Sequence, residues 1–310
     1  MQSPFTAMHA YHRPTILHHS IELPADFKTE DFLAFHRRDP QSVAEQVGTR
    51  FIRKGLIWHN QPACLTIHFR DQTAVAELSV DGPSVLSGQN KLSTMVKRML
   101  GLTQPIEAFE QTYRDHPQLG PLIIRNPGLR VPLTATPFEA LTWAITGQQI
   151  SVHAAIAIRR KLIQRVGFHH SCGLMCFPDA GQVVQLNEIA LREAGYSQTK
   201  ARTLLNLSVM ILENRLPLDD WLESSLPVDE ISARLLSIRG IGPWTINYAL
   251  MRGFGWLDGS LHGDVAVRKG LQALLGSSEK ISEEQTRDWL TPFSPYRALI
   301  AAHLWTLSIE

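Results

Sequence analysis

The feature that most constrains this chain is a change of hydrophobic period near residue 104. Before it, "LTIHFRD" sets Leu65, Ile67 and Phe69 on alternate positions, and "TAVAELSV" does the same with Ala74, Ala76, Leu78 and Val80. Alternation sends successive side chains to opposite faces of a half-buried strand. With "RFIRKGLIW" in front, these segments predict an antiparallel meander. "TEDFLAFHRR" and "NKLSTMVKRMLG" read as helices around it, giving a small α+β domain over residues 21–104. Beyond that point apolar residues recur every third or fourth position, so residues 105–310 predict an all-helical body. The expected fold class is mostly α with an N-terminal α+β domain. Residues 1–20, rich in His, Ser and Pro, read as a flexible tail.

Local signals place the helices. Thr136, Pro137 and Glu139 in "TPFEALTWAI" have the spacing of a capping box with proline at the first helical position. Gly147 interrupts that helix, Ser151 restarts one through "VHAAIAIRRKLIQRV", and Gly167 stops it. "LNEIALREA", "SQTKARTLLNLSVMIL", "VDEISARLLSI", "PWTINYALMR", "DVAVRKGLQALL" and "SPYRALIAAHLWTL" fit further helices. With 30 Lys+Arg against 29 Asp+Glu, the net charge of +1 neither demands a polyanionic partner nor excludes one. Cys64, Cys172 and Cys176 are too few for a disulfide framework, and the first residues lack the apolar core of a signal peptide. No run approaches the roughly 18 apolar residues of a membrane span. The expectation is a cytoplasmic protein with no membrane partner.

The stretch "SIRGIGPWTINYAL" holds the tightest turn. "GIGPWT" is no dinucleotide loop, because Thr245 stands where the third glycine belongs and the preceding segment is helical. Instead one helix ends near Ile238 and another begins at Pro243, with Gly240 and Gly242 expected at positive φ. Such a bare helix N-terminus can seat a phosphate. An ordinary helix–helix connection fits the turn equally well.

The pattern L-x-x-I-x-G-I-G-x-W-T, followed by the aspartate of "LHGDVAVRKGL", resembles the helix-hairpin-helix base-excision DNA glycosylases with their Gly/Pro-Asp motif (HhH-GPD). "TPFEALTWAITGQQISVHAAIAIRRKL", "LREAGYSQTKARTLLNL" and "YRALIAAHLW" are similar to other helical blocks of that superfamily, in the same order. The resemblance covers about residues 105–310. Its nearest subgroup is the bacterial 3-methyladenine DNA glycosylase II (AlkA) type, which carries a small antiparallel-sheet, TBP-like domain in front.

That resemblance implies a monofunctional DNA glycosylase of base excision repair, acting as a monomer on double-stranded DNA containing damaged bases. It makes Asp264 the catalytic carboxylate, although an N-cap for "VAVRKGLQALL" explains the same residue. Asp258 is a weaker candidate, more simply a loop residue. The base-binding positions fall on Trp244, Tyr248 and Tyr296, all of which can also be read as core aromatics. Gln149 stands in the wedge position of Gly147-Gln148-Gln149, where the AlkA type has leucine; a residue filling a helix break is the plainer reading. Gly240, Gly242 and Thr245 would hold a DNA phosphate. The carbonyls of Leu236, Ile238 and Ile241 would hold a structural Na or K ion, and no cofactor is expected for catalysis. Lys200 and Arg202 match a basic motif, though a solvated helix face accounts for them too. Lyase members of the superfamily carry a lysine where this chain has Trp244, and no cysteine follows Cys176 to ligate an iron-sulfur cluster.

Two other readings stand beside this one: a non-catalytic helix-hairpin-helix module that binds DNA by its backbone, and a glycosylase for oxidised or deaminated bases. "HHSCGLMC", His169 to Cys176, offers His and Cys at spacings zinc could use but lacks a fourth ligand. A loop with partly buried cysteines is the simpler account of it.

Overall fold

The computed structural model describes residues 14–82, 88–223 and 227–308. Five antiparallel strands, β1 (Thr15–Glu22), β2 (Glu45–Val47), β3 (Phe51–Trp58), β4 (Gln61–Arg70) and β5 (Thr73–Val80), form one sheet in the order β1-β5-β4-β3-β2. The predicted meander is its centre. The expected tail is corrected by β1, which pairs along its whole length with β5, from Thr15↔Val80 to Glu22↔Thr73. Its alternation was disguised because His19 occupies an inward position between Leu17 and Ile21, where its ring nitrogen meets Ser93 Oγ at 2.7 Å. Residues 1–13 lie outside the described residues. Helices α1 (Thr29–His36) and α2 (Gly88–Met99) cover the sheet, burying Phe32, Leu33, Leu92 and Val96 against Ile52, Leu65, Ile67 and Leu78.

The helical body follows. Helices α3 (Ile106–Tyr113) and α4 (Leu119–Arg125), which the sequence did not mark clearly, lead to α5 (Pro137–Gly147), α6 (Val152–Val166), α7 (Ala180–Val183) and α8 (Glu188–Glu193). Then come α9 (Gln198–Leu212), α10 (Leu218–Glu223), α11 (Val228–Leu236), α12 (Pro243–Ala249), α13 (Val265–Leu275), α14 (Glu283–Leu290) and α15 (Arg297–Leu307). They enclose two cores. One gathers Phe109, Leu122, Met251, Leu271 and Leu304; the other gathers Leu141, Leu162, Leu204, Leu235 and Leu250. Helix α12 runs on as a wider π turn over Leu250–Phe254 and contributes to both. Its two ends therefore meet both halves of the body.

Thr136 caps α5 by accepting the Glu139 amide (3.2 Å), and Ser151 caps α6 by accepting that of Ala154 (3.2 Å). Gly167 closes α6 in the left-handed region at φ 71°. Glu139 does not complete the expected capping box. Its carboxylate is drawn across the domain boundary to Lys54 Nζ (2.7 Å) and is also met by Arg159 Nη2 (2.9 Å), while Lys54 reaches Glu45 (2.6 Å). These charges are buried and mutually satisfied, which fixes how the sheet meets the helices.

Candidate active site

The hairpin between α11 and α12 closes on itself, with Ile238 N donating to Leu235 O (3.1 Å) and Ile241 N to Ile238 O (3.0 Å). Gly240 has φ 94°, and a Cβ there would lie 2.2 Å from Thr203 Oγ1, so the turn requires glycine. Gly242 corrects the expected positive φ. It is the N-cap of α12 with φ −116° and ψ 176°, a conformation open to any residue, and a Cβ there would meet nothing within 4 Å. What it provides is open approach. Pro243 follows at the first helical position and no side chain caps the helix, so the Trp244 and Thr245 amides lack intrahelical acceptors.

Thr245 itself is buried, and its hydroxyl accepts from Gln148 Nε2 (2.8 Å). The same Gln148 nitrogen donates to Gly240 O (2.9 Å). The break between α5 and α6 is thus tied to the hairpin by one side chain that sequence reading passed over. Lys200 completes the tie by donating to Thr146 O (2.9 Å) and Gln148 O (2.7 Å), and burial lowers the pKa of its amine. It closes the end of α5. Arg202 is exposed and pairs with Glu188 (2.8 Å). Gln149, next to this anchored residue, is exposed and held in the left-handed region at φ 55°.

Asp264 takes the N-cap position of α13. Its Oδ1 caps α13, accepting the Ala266 (2.9 Å) and Val267 (3.1 Å) amides, and also accepts Trp305 Nε1 (3.2 Å). Its Oδ2 accepts only Trp244 Nε1 (3.2 Å). One oxygen is committed to holding the residue, and the other keeps one lone pair unused among the described residues. Trp244 lies against Tyr248, with ring centroids 5.4 Å apart and planes 30° from parallel. A small cleft lined by Tyr248, Trp143, Thr134, Phe35 and Arg38, residues of both domains, reaches Tyr248 but is not lined by Trp244 or Asp264.

Tyr296 does not line that cleft. It precedes α15 and packs on Phe109 (5.4 Å) and Tyr113 (6.2 Å), and the aromatic that does reach Asp264 from α15 is Trp305. The sequence offered Trp305 only as another apolar residue of "HLWTL"; its one distinguishing signal is an indole N–H that must find an acceptor. Arg252 stands behind the site, its guanidinium carbon 5.2 Å from the Trp305 ring centre and 4.6 Å from that of Phe35. Burial pushes its pKa down to about 10, and Nη1 donates to Pro132 O (2.8 Å). Asp258 is engaged elsewhere, in a two-pronged pair with Arg297 (2.8 and 3.0 Å) and a bond from Ser294 Oγ (2.8 Å) that brace the start of α15.

A five-stranded antiparallel domain, a helical body, a glycine hairpin and a carboxylate set between two indoles define a helix-hairpin-helix repair fold. The chain belongs to the HhH-GPD superfamily of base excision DNA repair proteins: residues 142–295 match that family, and residues 20–136 match the AlkA N-terminal domain. It is 28% identical over 191 residues to the DNA-3-methyladenine glycosylase 2 of Escherichia coli, covering 60% of this chain and 63% of that one. It is also 28% identical over 218 residues to the "Probable bifunctional transcriptional activator/DNA repair enzyme AlkA" of Mycobacterium tuberculosis, covering 68% of this chain but only 41% of the longer relative. A solved 3-methyladenine DNA-glycosylase from Archaeoglobus fulgidus shares the fold with a TM-score of 0.80 at 22% identity, over 94% of this chain and 98% of that one. Among the described residues no helix is long and apolar enough to cross a membrane.

Proposed function

We propose that this chain is a monofunctional DNA glycosylase that flips alkylated purines, of the 3-methyladenine and 7-methylguanine type, out of double-stranded DNA and hydrolyses the N-glycosidic bond to leave an abasic site. The names of its relatives support a base-excision glycosylase, and the seat of Asp264 is the observation that carries the reading. With Oδ1 fixed by three donors, Oδ2 can face the anomeric carbon and stabilise the positive charge that grows there as the bond breaks. The bonding electron pair leaves with the base and neutralises its charge, so an alkylated purine needs no second carboxyl as general acid. Water then adds to the sugar carbon.

The remaining residues fit around that step. The tilted, mutually packed rings of Trp244 and Tyr248 would offer an aromatic face to a flipped, cationic base, with Tyr248 largely buried behind Trp244. The free amides beside Gly240 and Gly242, with that of Thr245, would receive a DNA phosphate, and Gln149 would fill the gap in the duplex. The carbonyls of Leu236 and Ile241, which accept no hydrogen bond among the described residues, would join that of Ile238 in holding a sodium or potassium ion. Its part would be to stiffen the hairpin beside the phosphate. Trp244, in the position of the lyase lysine, offers no amine for a Schiff base.

The test is incubation of the full chain with methylated duplex DNA, with released bases resolved by chromatography and a parallel sample treated with sodium borohydride. Release of methylpurines without a trapped covalent adduct is expected. Duplex binding without release would favour the non-catalytic module, and a trapped adduct would overturn the monofunctional assignment.

A further inference from the structure

All the cysteines of this chain, three in 310 residues, meet in one place, where β4 meets the loop between α6 and α7. Cys64 lies on β4 and is buried; Cys172 is exposed at the tip of the loop between α6 and α7; His170, on the same loop, is buried. The two sulfurs and a His170 ring nitrogen all lie within 4.8 Å of one another. Cys176 is near enough that, after burial, the other two thiols add to what raises its pKa to about 11, but its Sγ is turned to Ala63 O at 3.7 Å.

The backbone builds this meeting. Gly55 pairs with Cys64 in the β3–β4 ladder, and a Cβ on Gly55 would lie 2.1 Å from Met175 O. Phe177 N donates to Gly55 O (2.9 Å), so the loop is laid directly on the sheet, and a His169↔Met175 bridge folds its tip back. Asp81, just past β5, accepts the Ser171 amide (2.5 Å) and hydroxyl (2.7 Å), and its Oδ1 lies 3.3 Å from His170 Nε2. A buried imidazole with a carboxylate behind one nitrogen is the arrangement that orients histidine toward a metal. That Nε2 is buried and has no hydrogen-bond partner among the described residues, the Asp81 contact falling short of hydrogen-bond geometry.

We propose that Cys64, His170 and Cys172 form a binding site for a thiophilic divalent cation of the zinc class, which pins the sheet domain to the helical body. Asp81 Oδ1, 3.3 Å from Nε2, stands where it would accept a hydrogen bond from the proton on that nitrogen once the metal turns the ring, leaving the Nδ1 lone pair as the donor. Nδ1 now accepts the Cys172 amide at 3.1 Å, so the tip must shift that amide aside. Gly173, at φ 85° with nothing within 4 Å of its Cβ position, gives the tip room to do so. In a tetrahedral site with metal–sulfur bonds of about 2.3 Å the sulfurs stand about 3.8 Å apart, a contraction of about 1 Å at most. Each thiol releases its proton to solvent on binding, and water takes the fourth position at the exposed Cys172 edge. Because both thiols must lose their protons to bind, affinity rises with pH.

Cobalt(II) titration of the reduced full chain tests this, since a thiolate-to-cobalt charge-transfer band reports sulfur ligation and ignores the exposed histidines. The expected result is a band saturating at one equivalent and bleached by zinc. It should vanish in Cys172→Ala, whose exposed position leaves the fold intact, and in Cys64→Ala, and persist in Cys176→Ala. Zinc should raise the Tm of the unsubstituted chain by at least about 5 °C and leave Cys172→Ala unmoved. No band with three titratable thiols confirmed, a band that survives Cys172→Ala, or a Cys64–Cys172 disulfide in the isolated protein would overturn the assignment.

Discussion

Trp305 Nε1 donates to Asp264 Oδ1 at 3.2 Å across a separation of 41 residues, placing the last helix of the body directly on the carboxylate. Trp244 does the same to Oδ2 from the hairpin side. The carboxylate is therefore positioned by two rings and a helix terminus, with little rotational freedom left.

Replacing Trp305 with phenylalanine keeps a ring beside Arg252 and removes the N–H donor. Loss of a hydrogen bond to a charged acceptor, about 1.5 kcal/mol, should slow single-turnover base release by about tenfold. Duplex affinity measured on the same variant should be unchanged, because the bond acts on the carboxylate and not on the phosphates.

The two hairpin glycines should separate folding from binding. Gly240→Ala places a Cβ 2.2 Å from Thr203 Oγ1 at φ 94° and should cost about 1–3 kcal/mol in a denaturant melt. Gly242→Ala has ordinary backbone geometry and open space, so its stability should match that of the parent. Its Cβ should nevertheless weaken duplex binding by blocking close approach to the amides.

Gln149 carries left-handed backbone strain at φ 55° on an exposed side chain. Gln149→Gly should leave the unfolding free energy unchanged or raise it by up to about 1 kcal/mol of relieved strain, while lowering excision from duplex DNA. Excision from single-stranded DNA, where no gap opens, should fall much less. Equal losses on both substrates would remove Gln149 from the wedge role.

Acid should destabilise the fold in a definite window. Burial pushes His303 down to about 4, from an ordinary 6.5, with nearby Lys28 adding to the shift. The unfolded chain takes up this proton near pH 6.5 and the folded chain only near 4, so the stability is whole above 6.5 and lost as pH falls through that range. The loss amounts to about 2 kcal/mol at pH 5 and about 3 kcal/mol at the low end. His36, lowered by burial, acts in the same direction. For Glu45 and Glu139 burial alone would raise the pKa, but Lys54 and Arg159 overcome it and hold both carboxyls low, so their contribution fades only below about 4.5. Urea melts at pH 7 and pH 5 should differ by about 2 kcal/mol less in His303→Phe than in the parent.

The period change near residue 104 and the cap residues Thr136, Ser151 and Gly167 were legible because each obeys a local rule. Glycine at 240 was legible for the same reason. Strand β1 was hidden by histidine at an inward position, and α3 and α4 by short, weakly patterned segments. Asp264, Trp244 and Tyr248 stand within one hairpin and the helix after it, so motif spacing alone could single them out as candidates. Trp305 and Gln148 were beyond that reach: their significance lies in hydrogen bonds across 41 and 97 residues, which only the packed chain specifies. The Cys64–His170–Cys172 cluster was missed because its third member comes from the other domain.

The most direct test of the account is base release from methylated duplex DNA by Asp264→Asn beside the unsubstituted chain. Asparagine caps a helix as well as aspartate, so the variant should fold with the parent's Tm and bind duplex DNA with similar affinity. The account predicts that its methylpurine release falls by at least about a hundredfold, the scale expected when a transition-state charge loses its partner. Release at the parent's rate by a folded Asp264→Asn would contradict it.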